Sequence, residues 1–220
     1  MAQMADGVES VVEREIGFVY FDLGNILLAF DHMVACQNVA SEFGVEVGAV
    51  ESAVYGTGLQ VDYETGKIRQ EVFLKEVRLN LGLSEATAPS QKLLDLLSDM
   101  FQPIASMLDG LRAVRDSGVP VGVLSNTCRS HWDWIHRQSY GPALSSFDSV
   151  ILSFEVGAMK PDFEIYEAAE QAVDMPAEKI LFLDDRQENI DAATKRGWQA
   201  FCCMGGVDAE GILKRFGFGV

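Results

Sequence analysis

The sequence predicts an α/β fold: a Rossmann-like parallel sheet flanked by helices, with an all-α cap domain inserted near its start. Five short apolar runs, rich in β-branched and aromatic residues, mark the strands: Phe18–Phe21, Val119–Leu124, Val150–Leu152, Ile180–Leu183 and Gln199–Cys203. Near-continuous apolar strands alternating with helices require a sheet covered on both faces, and therefore a parallel one. From residue 31 to about 105 the alternation stops, because that interval holds helical patterns and no convincing strand.

The first run delivers Asp22 into the break Gly24-Asn25. A buried strand that ends in an acid and a permissive turn presents a nucleophile or metal ligand at a sheet's carboxyl edge. Helices are then expected over Met33–Phe43, Val47–Tyr55 and Val61–Thr65, the last stopped by Gly66. Arg69–Leu81 carries Phe73, Val77 and Leu81 at helical spacing, and Ser90–Phe101 carries a leucine stripe after Pro89. A parallel crossover needs only one helix, so four or five suggest a separate helical unit. Its hinges fall near Phe30–Asp31 and Pro103–Ala105. Leu108–Ser117 reads as a helix ended by Gly118. Pro120 stands at the start of the second strand, where a missing N–H is tolerated. Phe163–Val173 opens behind a capping Asp162, and Asn189–Arg196 ends at Gly197. The expected organisation is an acidic tail over residues 1–14, an α/β core from 15–30 and 105–220, and a helical cap over 31–104.

Net charge is −16. That opposes nucleic acid or an anionic membrane as a partner, since both need clustered Lys and Arg. No uninterrupted apolar run is long enough to span a bilayer. Cys36, Cys128, Cys202 and Cys203 have no zinc-type spacing, and they read as the reduced thiols of a cytoplasmic protein. An acidic chain that binds an anionic substrate must supply local cations, a metal or backbone N–H groups.

The strand ends carry such devices. The first offers Asp22, the second Ser125-Asn126-Thr127, the loop after the third leads to Lys160, and the fourth ends in Asp184-Asp185. Parallel strands converge their carboxyl ends on one edge, so these groups share a pocket. The set suits phosphoryl transfer from a small phosphorylated metabolite, through an aspartyl-phosphate, to water. Asp22 attacks phosphorus, Mg²⁺ sits between carboxylates and phosphate oxygens, and Ser125, Asn126 and Lys160 bind the remaining oxygens. Asp184-Asp185 as a helix cap is the bland alternative, but adjacent acids at the end of an apolar strand repel unless something cationic lies there.

Taken in order, VYFDLGN, VLSNT, GAMKPD and FLDDRQEN resemble the four motifs of the haloacid dehalogenase (HAD) superfamily. The resemblance spans roughly residues 16 to 204, and the helical interval with its YETGKI run resembles the family's α-helical cap. DLGN with SNT and a paired acid is similar to the branch that holds bacterial α-D-glucose-1-phosphatase and relatives of the soluble epoxide hydrolase amino-terminal phosphatase domain. The resemblance implies that Asp22 is nucleophile and metal ligand, that Gly24 gives Mg²⁺ its backbone carbonyl, and that Asp185 is a further ligand. It implies that Asp184 ligates through water or orients Lys160. Ser125 and the Asn126 amide would hold the phosphoryl group, and Lys160 would neutralise Asp22 and phosphate.

Gly24 departs from the family pattern, which has at that position the acid that protonates the leaving group and then activates water. Such help is worth about 10²–10⁴-fold. His131 is the named replacement for proton transfer, beside a metal-bound water or an undemanding leaving group. An anomeric oxygen leaves more readily than a plain alcohol, so a sugar phosphate is the expected substrate. Two other readings stand: a metal-independent 2-haloacid dehalogenase, and a non-catalytic phosphate-binding module.

Overall fold

The computed structural model describes residues 15–219; the acidic tail expected over 1–14 lies outside the described residues. All four residues of β1 (Phe18–Phe21) are buried, as an apolar run at the centre of a doubly covered sheet must be. After the Asp22 turn the chain forms β2 (Leu28–Phe30) and then five helices: α1 (His32–Phe43), α2 (Val47–Val54), α3 (Leu59–Glu64), α4 (Gln70–Leu81) and α5 (Ser90–Ser98). It returns through β3 (Phe101–Pro103) and α6 (Ala105–Asp116) to β4 (Val121–Ser125). There follow α7 (Arg129–Arg137), β5 (Ser149–Leu152), α8 (Ser153–Val156), α9 (Phe163–Val173), β6 (Ile180–Asp184), α10 (Gln187–Lys195), β7 (Gln199–Cys202) and α11 (Val207–Arg215).

The main sheet has the order β5-β4-β1-β6-β7, and each adjacent pair is parallel. The strands that end at Asp22, Ser125 and Asp184 are therefore the central three. Asp22 is pinned by its own N–H, which donates to the Leu183 carbonyl at 2.9 Å. Pro120 lies just outside β4, and its carbonyl accepts the Val19 N–H at 3.1 Å. One face packs Val19, Phe21, Val123 and Leu183 against α6 and α11, and the other packs Tyr20, Phe182 and Trp198 against α9. Helices α1–α5 enclose a cluster of their own, with Val39, Val50, Phe73, Val77 and Leu93, joined by Cys128 from the start of α7.

The expected helix Ser90–Phe101 stops at Ser98, and the hinges are not loops. Phe101–Pro103 pairs antiparallel with Leu28–Phe30 as a two-stranded ribbon where the chain leaves and re-enters the core. The Phe30 and Phe101 rings meet at 5.9 Å, a contact worth about 0.5–1.5 kcal/mol beyond its buried area. Asp162 precedes α9 but makes no side-chain cap bond. The four cysteines are free thiols, with Cys202 alone exposed. Among the described residues no helix is long and apolar enough to cross a membrane.

Candidate active site

Asp22 is buried at the carboxyl end of β1, and both of its protein donors meet Oδ1: Leu23 N–H at 2.7 Å and Lys160 Nζ at 2.8 Å. Lys160 also donates to Asp184 Oδ2 at 2.7 Å and to the Leu124 carbonyl at 2.8 Å. One ammonium thus joins the ends of β1, β4 and β6. Burial alone would lower the Lys160 pKa, but Asp22 and Asp184 outweigh it and hold it above the ordinary lysine value. Burial pushes Asp22 up to about 7, with Asp184 and Asp185 adding to the rise and Lys160 opposing it.

Asn126 clamps the main chain of Lys160 at two points. Its Nδ2 donates to the Lys160 carbonyl at 2.9 Å, and its Oδ1 accepts the Lys160 N–H at 2.7 Å. A side chain just after β4 thereby sets the register of the loop that carries the lysine. Asn189 Nδ2 donates to both Asp184 oxygens, at 2.9 and 3.0 Å, and the Arg186 N–H reaches Oδ1 at 2.8 Å. Asp184 is thus engaged on both oxygens by protein donors. Asp185 is held by Asn25 Nδ2 at 2.9 Å. Asn25 adopts a left-handed backbone (φ 54°), which asparagine tolerates. The sequence carries no sign of the Asn126 clamp or the Asn25 contact: Asn126 reads there as a phosphate-binding residue and Asn25 as part of the turn after Asp22.

Carboxylate oxygens of Asp22, Asp184 and Asp185 lie within 4.8 Å of one another. Three carboxylates meet one ammonium there, and the surplus negative charge beside hard oxygen donors fits a hard divalent cation such as Mg²⁺. Asp22, Gly24 and Asp185 line one cleft with Asn126 and Lys160. Its volume is about 370 Å³. Ser125 closes β4 in a buried position immediately before Asn126.

Gly24 has a definite neighbour. A Cβ there would come within 2.8 Å of Phe30 Cε1, so the ring fills the space that a side chain would take. The cleft is also lined from the helices and from the loop leading from β5 to Lys160, through His32, Tyr55, Val61, Glu64 and Met159. Tyr63 instead turns inward, stacked on Phe73 at 4.5 Å.

His131 is not brought to this cleft. It lies on the buried stripe of α7 with Ser130 and Ile135, and its ring packs edge-on against Phe101 at 5.4 Å. Burial pushes its pKa down to about 4. The expectation that it handles a proton in the cleft fails for a physical reason: the amphipathic turn of α7 directs it into the interior.

A family model described as haloacid dehalogenase-like hydrolase matches residues 26–197. The sesquiterpene phosphatase astK of Aspergillus oryzae is 27% identical over 179 residues, covering 80% of this chain and 84% of that protein. An (S)-2-haloacid dehalogenase of Pseudomonas fluorescens is 32% identical over 119 residues, 54% of this chain and 51% of that protein. Among solved structures, the HAD family enzyme bt-2542 of Bacteroides thetaiotaomicron, in its magnesium complex, superposes with a TM-score of 0.78 at 21% identity. That superposition covers 91% of this chain and all of the other, and it speaks to the fold alone.

Proposed function

The chain belongs to the haloacid dehalogenase-like hydrolases, and we propose that it is a Mg²⁺-dependent phosphatase acting on a small phosphorylated metabolite through an aspartyl-phosphate on Asp22. The observation that carries this reading is the joining of Asp22 and Asp184 through Lys160, with Asp185 alongside, at the ends of adjacent strands. Asp22 is the nucleophile. Its Oδ1 is held by Leu23 N–H and Lys160, which fixes the carboxylate for in-line attack on phosphorus. Ser125 and the Asn126 N–H receive the phosphoryl oxygens, and Lys160 offsets their charge as phosphorus is approached. Asp22, the Gly24 carbonyl and Asp185 would hold Mg²⁺, which would neutralise charge on the phosphoryl group. Asp184 orients Lys160 rather than facing the cation, because its oxygens already accept from Lys160, Asn189 and Arg186.

A sugar phosphate suits the missing side chain at Gly24, since an anomeric oxygen needs little protonation to leave. A second reading has its own support: Phe30 and Val61 at the cleft mouth are 41% and 48% exposed, and with Tyr55 and Met159 they give an apolar wall. A phosphate ester with an apolar organic part would bury against them, and the relative astK is named a sesquiterpene phosphatase.

The deciding assay is phosphate release from a panel of sugar, nucleotide, terpenyl and aryl phosphates with and without Mg²⁺, with Asp22→Asn as control. Mg²⁺-dependent release that falls on the order of 10⁴-fold or more in Asp22→Asn is expected. Chloride release from a 2-chloro acid without metal would favour the dehalogenase. Binding of sugar phosphates without turnover would favour the non-catalytic module.

A further inference from the structure

The sheet edge offers no side chain at Gly24 to protonate a leaving oxygen, and Phe30 occupies the space beside it. The helical wall does offer an acid. Glu64, the last residue of α3, lines the same cleft as Asp22 and Gly24. Its main chain is tied to the core: Ser153 Oγ lies 2.6 Å from the Glu64 carbonyl, and the same Oγ accepts the Thr127 N–H at 2.9 Å. Two residues on, Gly66 (φ 67°) brings the chain so close to Phe154 that a Cβ would lie 2.5 Å from its carbonyl oxygen. The turn carrying Glu64 is therefore fixed against the loops that follow β4 and β5, which carry Asn126 and Lys160.

The carboxyl group of Glu64 is bonded by a neutral donor, Gln60 Nε2, at 2.8 Å. Among the described residues no cation forms an ion pair with it. The ionisable groups beside it are Tyr55 after α2 and Cys128 before α7, and Asp22, Lys160, Asp185 and Arg186 line the same cleft. Glu155 on α8 is paired with Arg129 at 3.1 Å, and Gln70 on α4 is engaged by the Tyr63 hydroxyl at 3.2 Å. His32 of α1 is stacked edge-on against Tyr55 at 5.0 Å. Burial pushes the Glu64 carboxyl up to about 7, with the Gln60 bond opposing. An acid near that value is present in both protonation states around neutral pH, as acid–base catalysis requires.

We propose that Glu64 is the catalytic acid and base of this cleft, doing from the helical wall what the missing side chain at Gly24 does not. The assignment rests on the phosphatase reading. In the first half-reaction Asp22 bonds to phosphorus, the bond from phosphorus to the leaving oxygen breaks, and that oxygen takes the Glu64 proton to depart as an alcohol. In the second, water bonds to phosphorus while the Glu64 carboxylate takes one of its protons. The bond from Asp22 to phosphorus breaks, releasing phosphate and restoring Glu64 to its acid form.

The test compares wild type, Glu64→Gln, Glu64→Asp and His32→Ala, as the Mg²⁺-loaded full chain, on an aryl and an alkyl phosphate from about pH 5 to pH 9. For Glu64→Gln, kcat/KM on the alkyl ester falls about 10²–10⁴-fold and on the aryl ester far less. The decline of wild-type alkyl kcat/KM above about pH 7, where Glu64 loses its proton, disappears in Glu64→Gln and is partly restored in Glu64→Asp. With the aryl ester, acid-quenched Glu64→Gln accumulates phosphorylated Asp22, because the water step lacks its base. An unchanged melting midpoint and unchanged binding of inorganic phosphate mark a folded variant. Equal losses on the two esters, no accumulation of phosphoenzyme, or leaving-group dependence that follows His32→Ala overturns the assignment while the phosphatase reading stands. No phosphate release by wild type from any ester overturns both.

Discussion

Two acids serve one cleft, Glu64 lining it and Asp184 buried behind Lys160, and their surroundings differ in kind. At the sheet edge Asp184 accepts from an ammonium, an amide side chain and a backbone N–H. On the helical wall Glu64 accepts from the neutral amide of Gln60, and burial pushes its pKa up to about 7. The same functional group is thus built in one place to hold Lys160 in position and in the other to gain and lose a proton. Environment divides the labour. Gly24 marks the boundary: where a strand-borne side chain is missing, the ring of Phe30 fills the gap and the helices bring an acid to the same cleft.

The comparison breaks first at Lys160. Lys160→Met removes the ammonium shared by Asp22 and Asp184, leaving buried carboxylates unpaired, a loss of about 3–5 kcal/mol in stability. Denaturant unfolding should show a lowered midpoint at unchanged m, with phosphatase activity lost under conditions where the variant is still folded. A stability change near zero would mean that the pairing at the sheet edge is not what holds these acids.

His131 sharpens it from a third position, a titratable ring inside the protein. Its pKa is pushed down from 6.5 to about 4 in the folded state. Below pH 6.5 the unfolded chain binds this proton more readily than the native one, so stability is lost as pH falls from about 6.5 to about 4. The span is on the order of 3 kcal/mol. His131→Leu should flatten that acid limb of the melting midpoint relative to wild type. Its effect on alkyl and aryl phosphates should be equal, because the ring does not face the cleft.

The smallest effect tests the boundary itself. Gly24→Asp alone meets Phe30 and should bring no gain on alkyl phosphates. In a Phe30→Ala background the same change has room, and a gain of up to ~10²-fold on alkyl phosphates is expected. A full gain in Gly24→Asp alone would mean that the ring yields freely and does not define this side of the cleft.

The sheet edge was legible in the chain because its information is local. An apolar run of four or five residues followed by a polar break names its own strand end, and Asp22, Ser125 and Asp184 all lie at such breaks. The ribbon of β2 and β3 was not legible, since three-residue strands carry no periodic signal and their pairing joins segments over seventy residues apart. Glu64 was hidden for a related reason. An acid at the end of a short helix reads as surface, and only the close approach of Gly66 to Phe154 and the Ser153 contact turn it into the cleft. His131 misled because its neighbourhood in sequence, just after Ser125-Asn126-Thr127, differs from its direction on α7.

The most direct test of the account is to mix the Mg²⁺-loaded protein with an aryl phosphate, quench in acid within a single turnover, and map the phosphorylated peptide by mass spectrometry. The account predicts one phosphoryl group on the peptide that carries Asp22, absent from Asp22→Asn. Rapid phosphate release with that peptide unmodified at every quench time would contradict it.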